Sequence, residues 1–256
     1  IAESGSKATA GNVKVSGEYM TGASACGDST VHVKGDVTAT GENSVGIDGE
    51  TGTIKVGGDV SGIEAVVARG EADVTVGGSV SGTLSGIVAV GNASVSVKGD
   101  AETKVGPGVF AQENATVTVD GNVTGGTFYE APEGYEYVYP AIIAGAGTTV
   151  IVKGTVSTAE RNFFAVGINC WDAGSQKGTL ILEKAKAGGE ANAIYVNAAP
   201  GASQEDILNS LPDIVVGELV AKNEDFIWNS YDNGLYGNDP EDETIGELNE
   251  KIYAAI

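Results

Sequence analysis

Basic residues are scarce in this chain. Only Arg69 and Arg161 supply guanidinium groups, and 14 basic side chains face 35 acidic ones, for a formal charge of -21. Such a surface repels a phosphate backbone, which argues against nucleic acid as a partner. Cysteine is scarcer still, with Cys26 and Cys170 alone, so no disulfide framework holds the fold together. No segment approaches the roughly 20 continuous apolar residues of a membrane span, and no basic-then-apolar leader is visible. Aromatics make up 6% of the chain. The chain begins at Ile1 rather than Met and reads as a region of a longer precursor.

What the chain has in quantity is glycine, 39 residues in 256, alongside a normal 41% of hydrophobic residues. Many tight corners separated by small β-branched side chains give an all-β composition. The acids are uneven: from Glu205 to the end there are 13 against 2 lysines. That segment is expected to be solvated or peripheral.

A period near 21 residues organises the rest. Alternating apolar triplets begin at Val13, Val31, Ile54, Val74, Val95, Val117, Val150, Leu180 and Ile214. Four positions after each start, glycine recurs (Gly17, Gly35, Gly58, Gly78, Gly99, Gly121, Gly154), and Lys184 and Glu218 break this column in the last repeats. A short polar residue follows (Asp36, Asp59, Ser79, Asp100, Asn122, Thr155) and then, as a rule, a valine that opens a second strand. A third apolar block contains Ile47, Val67, Val88, Phe110 and Ile143, each seven residues before the next triplet. A unit of three short strands and glycine corners cannot bury its own apolar face, so it must stack on its neighbours.

The expected fold is therefore a parallel β-solenoid, a right-handed β-helix with three strands per rung and about nine rungs. An antiparallel sandwich would not need the same trio in the same register. The β-helix is expected over residues 1–222, with insertions at 124–140, 167–178 and 197–213, and an acidic cap at 223–256. Two segments are candidate caps. "SQEDILNSL" (203–211) has Ser203 as N-cap, and "DPEDETIGELNEKIYAAI" places Ile245, Leu248, Ile252 and Ile256 at helical spacing. Cys26 falls in the first rung and Cys170 in the seventh, about 25–30 Å apart at the spacing of stacked strands, so both are expected to be free thiols.

Of the 16 aromatic residues, only Tyr19 and Phe110 precede Phe128. "FYEAPEGYEYVYP" brings Tyr129, Tyr135, Tyr137 and Tyr139 together with three glutamates, and these tyrosines are the candidate ligand-binding residues. Tyrosine rings beside carboxylates can stack on sugar faces and hydrogen-bond hydroxyls. The plainer reading is an alternating strand packed on the flank of the rod. The Asp36–Thr155 column lacks the glycine spacing of calcium-binding β-rolls and reads as a ladder of corner residues. "DNGLYGNDPEDE" (232–243) is acidic but does not have EF-hand spacing. No metal ligand, cofactor or catalytic residue is assigned.

The stretch "TVHVKGDVTATGENSVGIDGETGTIKVGGDVSG" resembles the VxVxGDVxA units, with an intervening GI block, of large repeat-rich surface proteins of Firmicutes, including gut species. The resemblance covers about residues 12–160 and is specific for architecture. It implies a secreted or wall-attached β-helical protein of adhesin type. The expected function is thus a non-enzymatic extracellular stalk or display module that contacts glycans or host surface proteins. The alternative is a polysaccharide lyase or glycoside hydrolase of the parallel β-helix type, which needs paired carboxylates or a basic residue beside an acidic cluster.

Overall fold

The structure, a computed structural model, describes residues 1–125, 129–130, 136–137, 139–158, 164–170, 177–188, 193–198, 204–221 and 227–229. Its strands form one parallel array that winds through three sheet faces, each built from nine stacked segments among the described residues. The chain is a parallel β-solenoid.

The first sheet starts at Lys7–Ala10 and Thr30–Val33, continues through Thr53–Val56, Asp73–Val76, Ser94–Val97 and Thr116–Val119, and ends in the opening halves of Thr149–Thr158, Thr179–Lys186 and Asp213–Val220. The second runs from Val13–Ser16 and Val37–Thr40 to the closing halves of the same three long strands. The third begins at Thr21–Ala25 and ends at Ile227–Asn229. In the third and fourth rungs the second and third strands fuse, as Val60–Ala68 and Val80–Gly91. Alternation then decides which residues form the core. Val74, Val95 and Val117 of the first sheet, Val60, Val80 and Val123 of the second, and Val66, Ile87 and Ile142 of the third are all buried. Each Val or Ile so buried contributes about 1.5–3 kcal/mol.

Two details of register differ from the sequence reading. The first strand of the first rung is Lys7–Ala10, paired with Thr30–Val33, and Val13 instead opens the second strand, opposite Val37. The apparent step of 18 residues from Val13 to Val31 is therefore a comparison between different sheets. In the third sheet Ile47 lies beside Val66, and Val67, Val88, Phe110 and Ile143 form the neighbouring, outward column. The corner after Ile47 is one residue shorter than those of the next rungs, and a one-residue shift turns a strand's side chains to the opposite face.

The insertions also move. Residues 167–170 belong to the third-sheet strand Val166–Cys170, residues 124–125 to Val123–Gly125, and residues 197–198 to Ile194–Ala198. The helix Gln204–Ser210 is not an end cap, because the ninth rung follows it at Asp213. Ile207 and Leu211 bury themselves in the common core, so this helix is a plug in the eighth rung. Ser203, the helical segment at 239–256 and the acidic stretch 232–243 lie outside the described residues.

At the corner between the first and second sheets, the polar column forms a continuous ladder. The Asn12 side-chain oxygen accepts from the Asp36 backbone N–H at 3.0 Å, Asp36 from Asp59 at 3.0 Å, and Asp59 from Ser79 at 2.7 Å. Ser79 then accepts from Asp100 at 3.1 Å, Asp100 from Asn122 at 2.7 Å, and Asn122 from Thr155 at 2.9 Å. Each corner residue thus satisfies a backbone donor that the turn leaves outside the sheet ladders. In the eighth and ninth rungs the column passes to Lys184 and Glu218, which form an ion pair at 2.8 Å.

Both cysteines are free. Burial pushes the Cys170 thiol up to about 12, while Cys26, half-buried at the other end of the rod, is raised by its hydrogen bond to Glu50 at 3.3 Å. The thiolate is the reactive species. A thiol reagent at pH 8 is therefore expected to modify Cys26 slowly and Cys170 only after denaturation. Two thiols titrating in the folded protein would contradict this placement.

Candidate ligand-binding site

The tyrosine-rich segment lies where the second sheet hands over to the third in the sixth rung. In the sixth rung the connection from Val123–Gly125 to Ile142–Gly145 contains a short antiparallel hairpin, Tyr129–Glu130 against Glu136–Tyr137. Its register sets Tyr129 opposite Tyr137 and Glu130 opposite Glu136. Of the four tyrosines picked out from the sequence, the hairpin thus unites two. Tyr139 is half-buried on the way out, and Tyr135 lies outside the described residues.

The chain leaving the hairpin turns back onto the solenoid at Pro140, which is buried and packs over Gly167 of the seventh rung. A Cβ at Gly167 would stand 3.0 Å from the proline ring, so glycine here makes room for the returning segment. Gly167 belongs to the outward column of the third sheet, between Ile143 and Tyr195. The hairpin exit is therefore delivered beside Tyr195.

Sequence reasoning missed the residues at that point. Tyr195 stacks on Phe164, with ring centroids 4.8 Å apart and planes inclined by 17°. Its hydroxyl donates to Asn197 Oδ1 at 3.2 Å, and Asn197 Nδ2 donates in turn to Asn169 Oδ1, also at 3.2 Å. Asn169 and Asn197 are register partners in adjacent rungs. All four side chains are half-buried. The signal was present in the sequence: "AVGIN" and "AIYVN" continue the third apolar block, each ending in asparagine. Stacked rings and hydrogen-bonded amides thus lie side by side on the outward side of the third sheet.

Two other polar features have structural duties. Asp120 is held between Lys153 at 2.7 Å and Lys98 at 2.8 Å on the outer face of the first sheet. Those two ammonium groups, Lys153 foremost, lower its carboxyl from 3.8 to about 2. The contribution of this cluster to stability is complete above the ordinary carboxylate value and disappears as the pH falls through about 2. Asp120→Asn is accordingly expected to lower the denaturation midpoint at pH 6, less so near pH 2, and to leave it unchanged near pH 1; an equal loss at pH 6 and pH 1 would contradict the ion-pair account. The second sheet carries a shallow polar groove of about 360 Å³, lined by Thr38, Ser61, Ser79, Ser81, Asp36, Asp59 and Glu102. Asp36 and Asp59 each commit one oxygen to the corner ladder. Among the described residues, no group of three or more His, Cys, Asp or Glu is arranged to hold a metal ion.

No protein family, curated protein or solved structure matches this chain.

Proposed function

We propose that the chain is a non-enzymatic, extracellular β-helix that serves as an adhesin or display module, contacting glycans or host surface proteins through the C-terminal half of the rod. The observations that carry this reading are the aromatic residues that rungs six to eight bring in: a hairpin that pairs Tyr129 with Tyr137, the half-buried Tyr139 that follows it, and the stacked rings of Phe164 and Tyr195. The outward column of the first sheet, by contrast, runs Thr9, His32, Lys55, Thr75, Ser96 and Thr118 through its first six rungs. A regular scaffold that fixes such a patch at a set height separates positioning from contact, which suits display.

The test is an array of glycans and host-matrix proteins probed with the intact chain, with and without calcium, beside a Tyr135→Ala/Tyr137→Ala variant. Binding by the parent that falls about tenfold or more in the variant is expected, the usual scale for loss of aromatic anchors. Silence of the parent in both conditions would reduce the chain to a spacer. The enzyme alternative draws on the groove that holds Asp36, Asp59 and Glu102. It requires polysaccharide cleavage that Glu102→Gln abolishes.

A further inference from the structure

We propose that the outward face of the first sheet in rungs seven to nine is a docking surface, and that its occupant is the chain's own C-terminal segment, residues 239–256. The inference stands apart from the display reading above.

A change within one column defines the surface. Through six rungs the outward column of the first sheet is polar, from Thr9 to Thr118. In the next three it becomes Ile151, Ile181 and Val215, stacked in register. Ile181 is 38% and Val215 58% exposed, and Ile151 is half-buried. The first six rungs stack with polar residues at this position, so the fold itself does not require the apolar ones. A contiguous apolar patch facing outward marks a contact surface, whereas single apolar residues do not. A cap on the upper edge of the ninth rung would shield the inward Val216 and Leu219. It would leave Ile181 and Ile151, one and two rungs lower on the outer face, uncovered.

Topology and length choose the occupant. The last described strand of the third sheet, Ile227–Asn229, belongs to the ninth rung. In the first six rungs short corners carry the chain from the third sheet to the next strand of the first, two residues between Gly91 and Ser94 and four between Ala68 and Asp73. The same path from Asn229 leads to the edge of Asp213–Val220, the strand that carries Val215. Asp239 follows Asn229 by ten positions, a reach of up to about 35 Å. Beyond it Ile245, Leu248, Ile252 and Ile256 recur at helical spacing. As a helix that stripe is about 16 Å long, enough to cover three stacked strands, which span about 10 Å. A second copy of the chain fits less well, because a stable dimer buries about 800 Å² on each partner. The column is one side chain wide, with Thr149, Thr179 and Asp213 on one side and Lys153 and Glu183 on the other. A tethered segment needs no such area, since its linker holds it at a high effective concentration.

The experiment uses the full chain with Cys26→Ser and Val215→Cys, and follows modification of the new thiol by a maleimide. Adding Leu248→Asp and Ile252→Asp is expected to speed this modification about tenfold, the change for a surface covered about nine-tenths of the time. Thr75→Cys, in the polar part of the same column, is expected to react at one rate with and without those two changes. Mild oxidation of Val215→Cys/Leu248→Cys is expected to give a disulfide within one chain, and Thr75→Cys/Leu248→Cys none. Equal modification rates at position 215, a disulfide that joins two chains, or one that forms as readily from position 75 would overturn the proposal.

Discussion

Gly121→Val is expected to destabilise the protein by about 3 kcal/mol, at the upper end of what overpacking costs. Gly121 sits at the first corner of the sixth rung, on top of Gly99 of the rung below. A Cβ there would come within 2.6 Å of the Gly99 carbonyl oxygen and 2.7 Å of its carbon, and it would also meet the Asp100 carboxylate. Neither backbone atom can withdraw, because Gly121 N–H itself donates to Gly99 O at 3.1 Å. The added side chain must therefore lift the corner and break the Asn122-to-Asp100 step of the polar ladder, which spans only 2.7 Å. Thermal melting and hydrogen exchange would report it. The loss of protection should centre on rungs five and six, since each rung of a solenoid contacts only its neighbours. A melting point within a degree of the parent would show that the corners are not in van der Waals contact.

The second large effect concerns the core. Ile87→Asp places a carboxylate where a fully buried isoleucine lies between Val66 and Val109 in the third-sheet column. With no polar partner across the rung, an ionised side chain there costs several kcal/mol, more than the roughly 2–5 kcal/mol of an Ile→Ala truncation. Its neighbour Val88 faces outward and is only half-buried, so Val88→Asp should cost far less. The comparison of the two, one residue apart, tests the register directly: expression and melting of Val88→Asp should resemble the parent, while Ile87→Asp should open the rungs around it. Equal damage from both would mean that the third-sheet register is misassigned.

That pair also shows what the sequence could and could not disclose. The stacking was legible because glycine, a short polar residue and valine recur at fixed distances from most of the triplets; the corner ladder accounts for the polar residue and the close approach of successive corners for the glycine. The phase of individual strands was less visible. Val13 resembles the triplet valines because second-sheet strands also open on valine, whereas the true first strand carries inward Ala8 and Ala10. In the first rung, which has no described rung below it, those inward residues are only half-buried, so large apolar side chains are not demanded there. Ile47 was grouped with Val67, Val88, Phe110 and Ile143 because a corner shortened by one residue keeps the spacing of seven while reversing the face.

The candidate site was legible in composition but not in geometry. The tyrosine-rich segment announced itself, and its hairpin emerged as a local feature. Phe164, Asn169, Tyr195 and Asn197 lie on two rungs whose register partners are 28 residues apart, well outside the 21-residue period, because insertions stretch the last repeats. Only the pairing of Val166–Cys170 with Ile194–Ala198 brings them together.

Every part of this account depends on residues of successive repeats standing directly above one another. The most direct test is the distance between Thr9 and Thr118, which share the outward column of the first sheet five rungs apart. Spin labels on Thr9→Cys and Thr118→Cys, with Cys26→Ser to remove the accessible native thiol, should give a pulsed dipolar distance of about 24 Å, five inter-strand spacings. A distance below about 15 Å or above about 35 Å lies outside what five such spacings and the label linkers allow, and would contradict the stacked solenoid together with the site built on it.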